Sequence, residues 1–263
     1  MVTRSPAVAG TFYPEHASEL AGCVARYLAD AVDLSIAETL RPKVLIVPHA
    51  GYVYSGPVAA SAYRLLGAYR AEIQRIVLLG PAHREYLQGM AVPSVDGFAM
   101  PNGEVPLDID TISQVLDLPS VVTSDRAHAM EHSLEVQLPF LQSVLNRFVL
   151  VPIVVGDCPS EDVAGLLEAT WGGTETLIVV SSDLSHYRPY AVAQTSDAAT
   201  TREILARSST LTGEQACGAY AINGLMRVAV AHDLQVRVLD VRNSGDTAGD
   251  RSQVVGYGAY ALS

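Results

Sequence analysis

VLIVPHAGYVYSGPVAASAY, residues 44–63, decides how the rest of the chain is read. Its first four residues are a continuous apolar run, the pattern of a strand buried on both faces. Pro48 ends the run because it has no amide to give to a sheet ladder. His49 follows at once, then a Tyr-rich loop. Ser55-Gly56-Pro57 reads as the start of an Ala-rich helix over 57–68. His49 therefore stands at the carboxyl end of a strand, where open α/β sheets place their ligands.

Two more apolar runs end in the same way. Residues 75–79 lead into Gly80-Pro81-Ala82-His83, and residues 177–180 lead into Ser181-Ser182-Asp183-Leu184-Ser185-His186. Parallel strands deliver their carboxyl ends to one edge of a sheet, so His49, His83, Asp183 and His186 are expected to converge. Imidazoles with a carboxylate or thiolate make an open transition-metal site. Glu131-His132 opens the helical pattern of 131–146, whose stripe is Leu134, Leu138, Leu141 and Leu145. There Glu131 has a plainer alternative, a carboxylate stabilised by the helix dipole. Cys217 precedes a helix at 219–232, where amide dipoles favour a thiolate and so a soft ligand or reactive sulfur. Its plainer alternative is a small buried hydrophobe. Cys23 reads as core, and His16, His128 and His232 read as solvated or capping residues.

The remaining segments fit one architecture. A helix is expected at 16–31, the first inner strand at 43–48 and an irregular flap within 89–108. A short helix near 109–117 and a weak strand at 120–123 follow. Beyond 148–155, a strand, come helices at 160–169 and 190–206 and final strands at 235–242 and 253–262. This alternation predicts an α/β fold: a single three-layer α/β/α domain over residues 1–263 with a mainly parallel central sheet.

Composition narrows the function classes. The 263 residues carry 17 basic and 28 acidic side chains, a net charge of −11, which argues against nucleic acid or an anionic membrane as partner. No apolar stretch is long enough to span a bilayer, and three scattered cysteines suggest no disulfide framework, so a cytoplasmic setting is expected. GxGxxG after a strand, GxxxxGK[ST], GxSxG, HExxH and CxxC are all missing.

The ordered motifs PAVAGTFYP, PHAGYVYSGPVAA, LLGPAHR, NGEVPLD, EHSLEVQLPFLQ, VPIVVGD, SSDLSHY, Cys217-Gly218 and GYGAYAL resemble those of the Memo family, also called AmmeMemoRadiSam system protein B. They cover almost the whole chain. The family is similar in fold to the class III extradiol dioxygenases, which are non-haem iron enzymes. The resemblance implies a metal site at His49, His83 and Cys217, holding iron first, with copper or zinc as alternatives. Asp183 and His186 match positions beside that site. A cysteine replaces the glutamate ligand of the dioxygenases, which alters metal preference and redox potential. The resemblance also implies a functional link to a radical-SAM protein.

The leading expectation is a redox-active metal protein or oxidoreductase. In it His186 acts as general acid/base, oriented by Asp183, and Glu131 and His132 lie beside the metal or face the substrate. The alternatives are a metal-dependent hydrolase and a non-catalytic module receiving a small molecule or peptide in the same pocket.

Overall fold

The structure, a computed structural model, describes residues 2–31 and 41–263. In chain order its strands are β1 (Thr3–Arg4), β2 (Val44–Val47), β3 (Arg75–Pro81), β4 (Met90–Val92), β5 (Gly97–Phe98), β6 (Val105–Pro106), β7 (Val121–Thr123), β8 (Val149–Val155), β9 (Thr176–Ser181), β10 (Val236–Asn243) and β11 (Gly256–Leu262). The helices are α1 (Ala17–Asp30), α2 (Tyr52–Tyr63), α3 (Ile109–Val115), α4 (Asp125–Ala129), α5 (Leu138–Val144), α6 (Ser160–Ala169), α7 (Tyr190–Leu205), α8 (Ala219–Ala231) and α9 (Ser244–Thr247).

Eight strands form one sheet in the order β10-β11-β2-β9-β3-β8-β4-β7. At its centre β2, β9, β3 and β8 are mutually parallel. Their Val/Ile/Leu runs are buried on both faces, as a sheet covered by two helical layers requires. One layer holds α1, α2 and α5, with α2 against β2, β10 and β11; the other holds α6 and α8, with α8 against β3, and α7 against β10 and β11. α6 and α8 meet closely at Gly224, where a Cβ would lie 2.5 Å from Val163. The flanks depart from the parallel pattern. β11 runs antiparallel to both β2 and β10, and β4 antiparallel to β8. In register, Val47 lies beside Ser181, and Leu79 beside Val180. The carboxyl ends of β2, β3 and β9 therefore reach one edge together.

Four sequence expectations need correction. The helix expected at 57–68 begins at Tyr52, whose amide donates to the Phe12 carbonyl at 2.8 Å, so Pro57 lies inside it. The proline removes one helical bond, and a 3-10 turn, Arg64–Tyr69, replaces the last expected turns. The helix expected at 131–146 is replaced by a turn, a 3-10 turn Glu135–Gln137 and the shorter α5, which has Pro139 in its first turn; α4 lies before it. Its Leu134, Leu138, Leu141 and Leu145 stripe is nonetheless buried. The flap expected within 89–108 is packed structure. Met90–Val92 joins the main sheet, β5 pairs with β1 on one side and β6 on the other in a second sheet, and Phe98, Val105 and Leu107 are buried.

His128, expected to be a solvated or capping residue, is 2% exposed, with Nε2 bonded to the Ala91 carbonyl at 2.9 Å and Phe98 beside the ring. Because that carbonyl can only accept, the proton sits on Nε2. Burial pushes the imidazole down to about 4. A buried histidine whose folded pKa lies below its unfolded value of about 6.5 stays neutral, while the unfolded chain takes up the proton first. Its stabilisation is complete above about pH 6.5 and is lost as pH falls toward 4. Denaturant titrations of chelator-treated protein between pH 7 and 4 should show stability falling with acid. In His128→Gln that slope should be shallower by up to about 1.4 kcal/mol per pH unit. An unchanged slope would contradict the assignment.

Candidate metal centre

Three strand ends and one turn build the site. β2 supplies His49, β3 supplies His83, β9 supplies Asp183 and, three residues on, His186, and the turn after α4 supplies Glu131 and His132. His49, His83 and His132 each offer a ring nitrogen, and these atoms lie within 4.8 Å of one another. The rings contact in pairs, with centroids 4.7 Å apart for His83 and His132 and 5.1 Å for His49 and His83. They open into a cleft of about 790 Å³ whose lining includes Phe12, Tyr54, Arg84, His186, Tyr187 and Tyr257.

The hydrogen bonds dictate which ring nitrogens are free. Gln137 donates its amide to the Pro48 carbonyl at 2.9 Å and to Ser181 Oγ at 2.8 Å, while its oxygen accepts from the Tyr63 hydroxyl. The Ser181 hydroxyl gives its single proton to the Ser133 carbonyl at 2.6 Å. The 2.9 Å contact between His49 Nδ1 and Ser181 Oγ must then be donated by the imidazole. That leaves the His49 Nε2 lone pair for a ligand. His83 is held likewise, its Nδ1 2.9 Å from Glu131 Oε1 and its own amide donating to Glu131 Oε2 at 2.6 Å. Glu131 also accepts the amides of His132 and Ser133, each at 2.9 Å.

These partners set the charges. Burial alone would raise the Glu131 carboxyl, but the His83 ring and the surrounding amides outweigh it and hold the group at about 2. Burial pushes His49 well below the usual imidazole range, His132 to about 4, and His186 downward. At neutral pH these three rings are unprotonated, the form that binds a metal. His132 Nδ1 is buried without a hydrogen-bond partner among the described residues, 3.3 Å from Glu131 Oε1.

Cys217 lies beside His49, with Sγ 3.3 Å from its Nε2 and accepting the Asp183 amide at 3.2 Å. A sulfur and a nitrogen sharing one tetrahedral ion stand about 3.5 Å apart, so this pair fits a common metal. Burial, then the Asp183 charge, pushes the thiol up to about 12. That direction is opposite to the thiolate expected from helix dipoles alone. Asp183 is pushed up to about 7 by burial and accepts the His49 amide at 2.7 Å. Its carboxylate thus supports the strand end carrying His49 instead of turning to His186. His186 lines the cleft outside the group of three imidazoles.

The donor set fits a transition metal: three convergent imidazoles, two of them with the other ring nitrogen fixed from behind, and a soft sulfur in reach. Sequence reading placed His132 beside the metal, whereas the structure brings it into the donor group. It missed Ser181, Ser133 and Gln137 altogether. The one available signal was a glutamine set in the apolar run LEVQLPF.

Ser181→Ala removes the acceptor that orients His49 and should weaken metal binding about 10–100-fold in a competitive chelator titration. Glu131→Gln sets an amide donor against N–H groups and should cost roughly 3 kcal/mol in unfolding experiments on chelated protein. Wild-type metal affinity in the first variant, or wild-type stability in the second, would count against these roles.

Residues 4–261 match the Memo-like protein family. The chain is 39% identical to a MEMO1 family protein of Aquifex aeolicus over 98% of both chains, and 36% identical to one of Ignicoccus hospitalis over 98% of both. A MEMO1 family protein of Archaeoglobus fulgidus is 34% identical over 97% of each chain. The crystal structure of an uncharacterized protein from Escherichia coli K12 superposes with a TM-score of 0.53 at 14% identity, covering 82% of this chain and 99% of that one; this likeness concerns the fold alone. With a family match over nearly its whole length and close relatives of equal extent, the chain belongs to the Memo-like family.

Proposed function

We propose that the cleft is the centre of a mononuclear transition-metal oxidoreductase of the non-haem type, with iron as the metal and copper as the alternative. The observation that carries this reading is the convergence of His49, His83 and His132 within 4.8 Å, with a thiol 3.3 Å from the first ring. His49 and His83 are the fixed pair, because each has its Nδ1 engaged behind it and its Nε2 left over. His132 and Cys217 are the two candidates to complete the set. Sulfur donation would favour iron or copper over harder cations. Bound iron would supply a one-electron couple and open positions for dioxygen or substrate.

The protein's own residues carry the rest of the chemistry. His186, kept unprotonated by burial, is the proton acceptor of the cleft. Phe12 packs on His132 with centroids 4.8 Å apart and shields that ring from solvent. A pocket partner, whether small molecule or peptide, would enter from the side of Tyr54 and Tyr187, which are exposed at the cleft. Residues 94–108 do not line it, so no flap from that region closes over a partner.

A second reading has one specific observation behind it. Three imidazoles are also the donor set of hydrolytic zinc sites, where a metal-bound water is the nucleophile.

Protein purified without oxygen should carry close to one equivalent of iron or copper, and His49→Ala and His83→Ala should lose it. Loss in His132→Ala with retention in Cys217→Ala would make the centre all-imidazole; the reverse would give the thiolate set. Equal metal in all five proteins ends the assignment. His186→Gln should keep the metal and lose turnover. Activity restored by zinc under argon would favour hydrolysis over oxygen chemistry.

A further inference from the structure

Arg84 is the group at the cleft that the metal chemistry leaves unused. It follows His83 directly, is exposed at the cleft lining, and makes no hydrogen bond or ion pair with any described residue. The carboxylates near it in sequence or around the cleft are engaged elsewhere. Glu85 pairs with Arg126 at 2.8 Å, Asp183 holds the His49 amide at 2.7 Å, and Asp250 accepts the Ser252 amide at 2.7 Å. Arg84 lines the same cleft as His49, His83 and His132, and its charge bears on His132. In a chain of net charge −11, an unpaired cation at the mouth of this cleft is available to a ligand.

Four aromatic residues, Phe12, Tyr54, Tyr187 and Tyr257, line the same cleft. Tyr187 holds a left-handed backbone (φ 52°) that bulky side chains rarely adopt, and is 72% exposed, which presents its ring at the opening. Aromatic walls select planar apolar bodies, and a planar guanidinium fork selects a carboxylate through two parallel N–H···O bonds.

We propose that this cleft takes a small planar molecule bearing a carboxylate, and that Arg84 is the residue that binds the carboxylate. The inference rests on the cleft being the metal-bearing site, but its test reads anion recognition separately. Binding of benzoate, of its neutral isostere benzamide and of acetate would be measured calorimetrically on the protein as purified, with metal content determined on the same samples. Wild-type protein should bind benzoate at least about tenfold more tightly than either control, as a charge-assisted contact of this kind supplies. Arg84→Gln should abolish the preference over benzamide with metal content unchanged, and Arg84→Lys should keep part of it.

Equal binding of benzoate and benzamide, an unchanged preference in Arg84→Gln, or no binding of either ring would overturn the proposal. Acetate binding as tightly as benzoate would overturn its planar part. An Arg84-dependent preference in protein without metal would sink the metal reading and leave this one standing. Metal-loaded protein with no preference would do the opposite.

Discussion

The site depends on buried carboxylates that accept main-chain amides from segments far away in the chain. Asp183 holds the amide of His49, and Glu131 holds the amide of His83 together with those of His132 and Ser133. A third, Glu135, accepts the amides of Ala7 and Val8, the Tyr13 hydroxyl and Arg4. Each imidazole at a strand end is thus fixed through its backbone as well as its ring. An ionised carboxylate is tolerated in such a place only when several donors surround it. Removing one amide would strand a charge, so the strand ends and the turn at 131–133 are held as a unit.

This arrangement also governs charge in the cleft. Burial disfavours every ionised form and moves His49 and His132 below their usual range and Cys217 and Asp183 above theirs. Glu131 is the exception because its donors outweigh desolvation. The result is a cluster of lone pairs facing a cavity with one negative charge directly behind it. At His49 and His132 an entering cation would meet donors that need not first lose a proton, unlike the thiol.

The N-terminal segment completes the wall. Tyr13, Ala7 and Val8 are anchored on Glu135, and Arg4 spans from Glu135 at 2.6 Å to the carbonyls of His128 and Glu131. This positions Phe12 between the His132 ring and the start of α2, whose Tyr52 amide it accepts. The family match begins at residue 4, so this anchoring segment lies within the shared region.

The sequence by itself determined the sheet and the edge at which chemistry gathers. Apolar runs of four to seven residues buried on both faces are readable because strand burial leaves a continuous pattern, and His49, His83 and Asp183 follow those runs directly. The family was readable too, from motifs spread over most of the chain. Local signals failed where distant partners decided the outcome. α2 starts early because a carbonyl from residue 12 receives its first amide, and the 131–146 pattern breaks because Glu131 draws nearby amides into its own bonds. The identity of the third imidazole, the proton on His49 and the direction of Asp183 emerge only from tertiary structure. They depend on Ser181, Gln137 and main-chain groups that lie tens of residues from the rings they orient, and hydrogen-bond partners at that separation leave no periodic trace in a sequence.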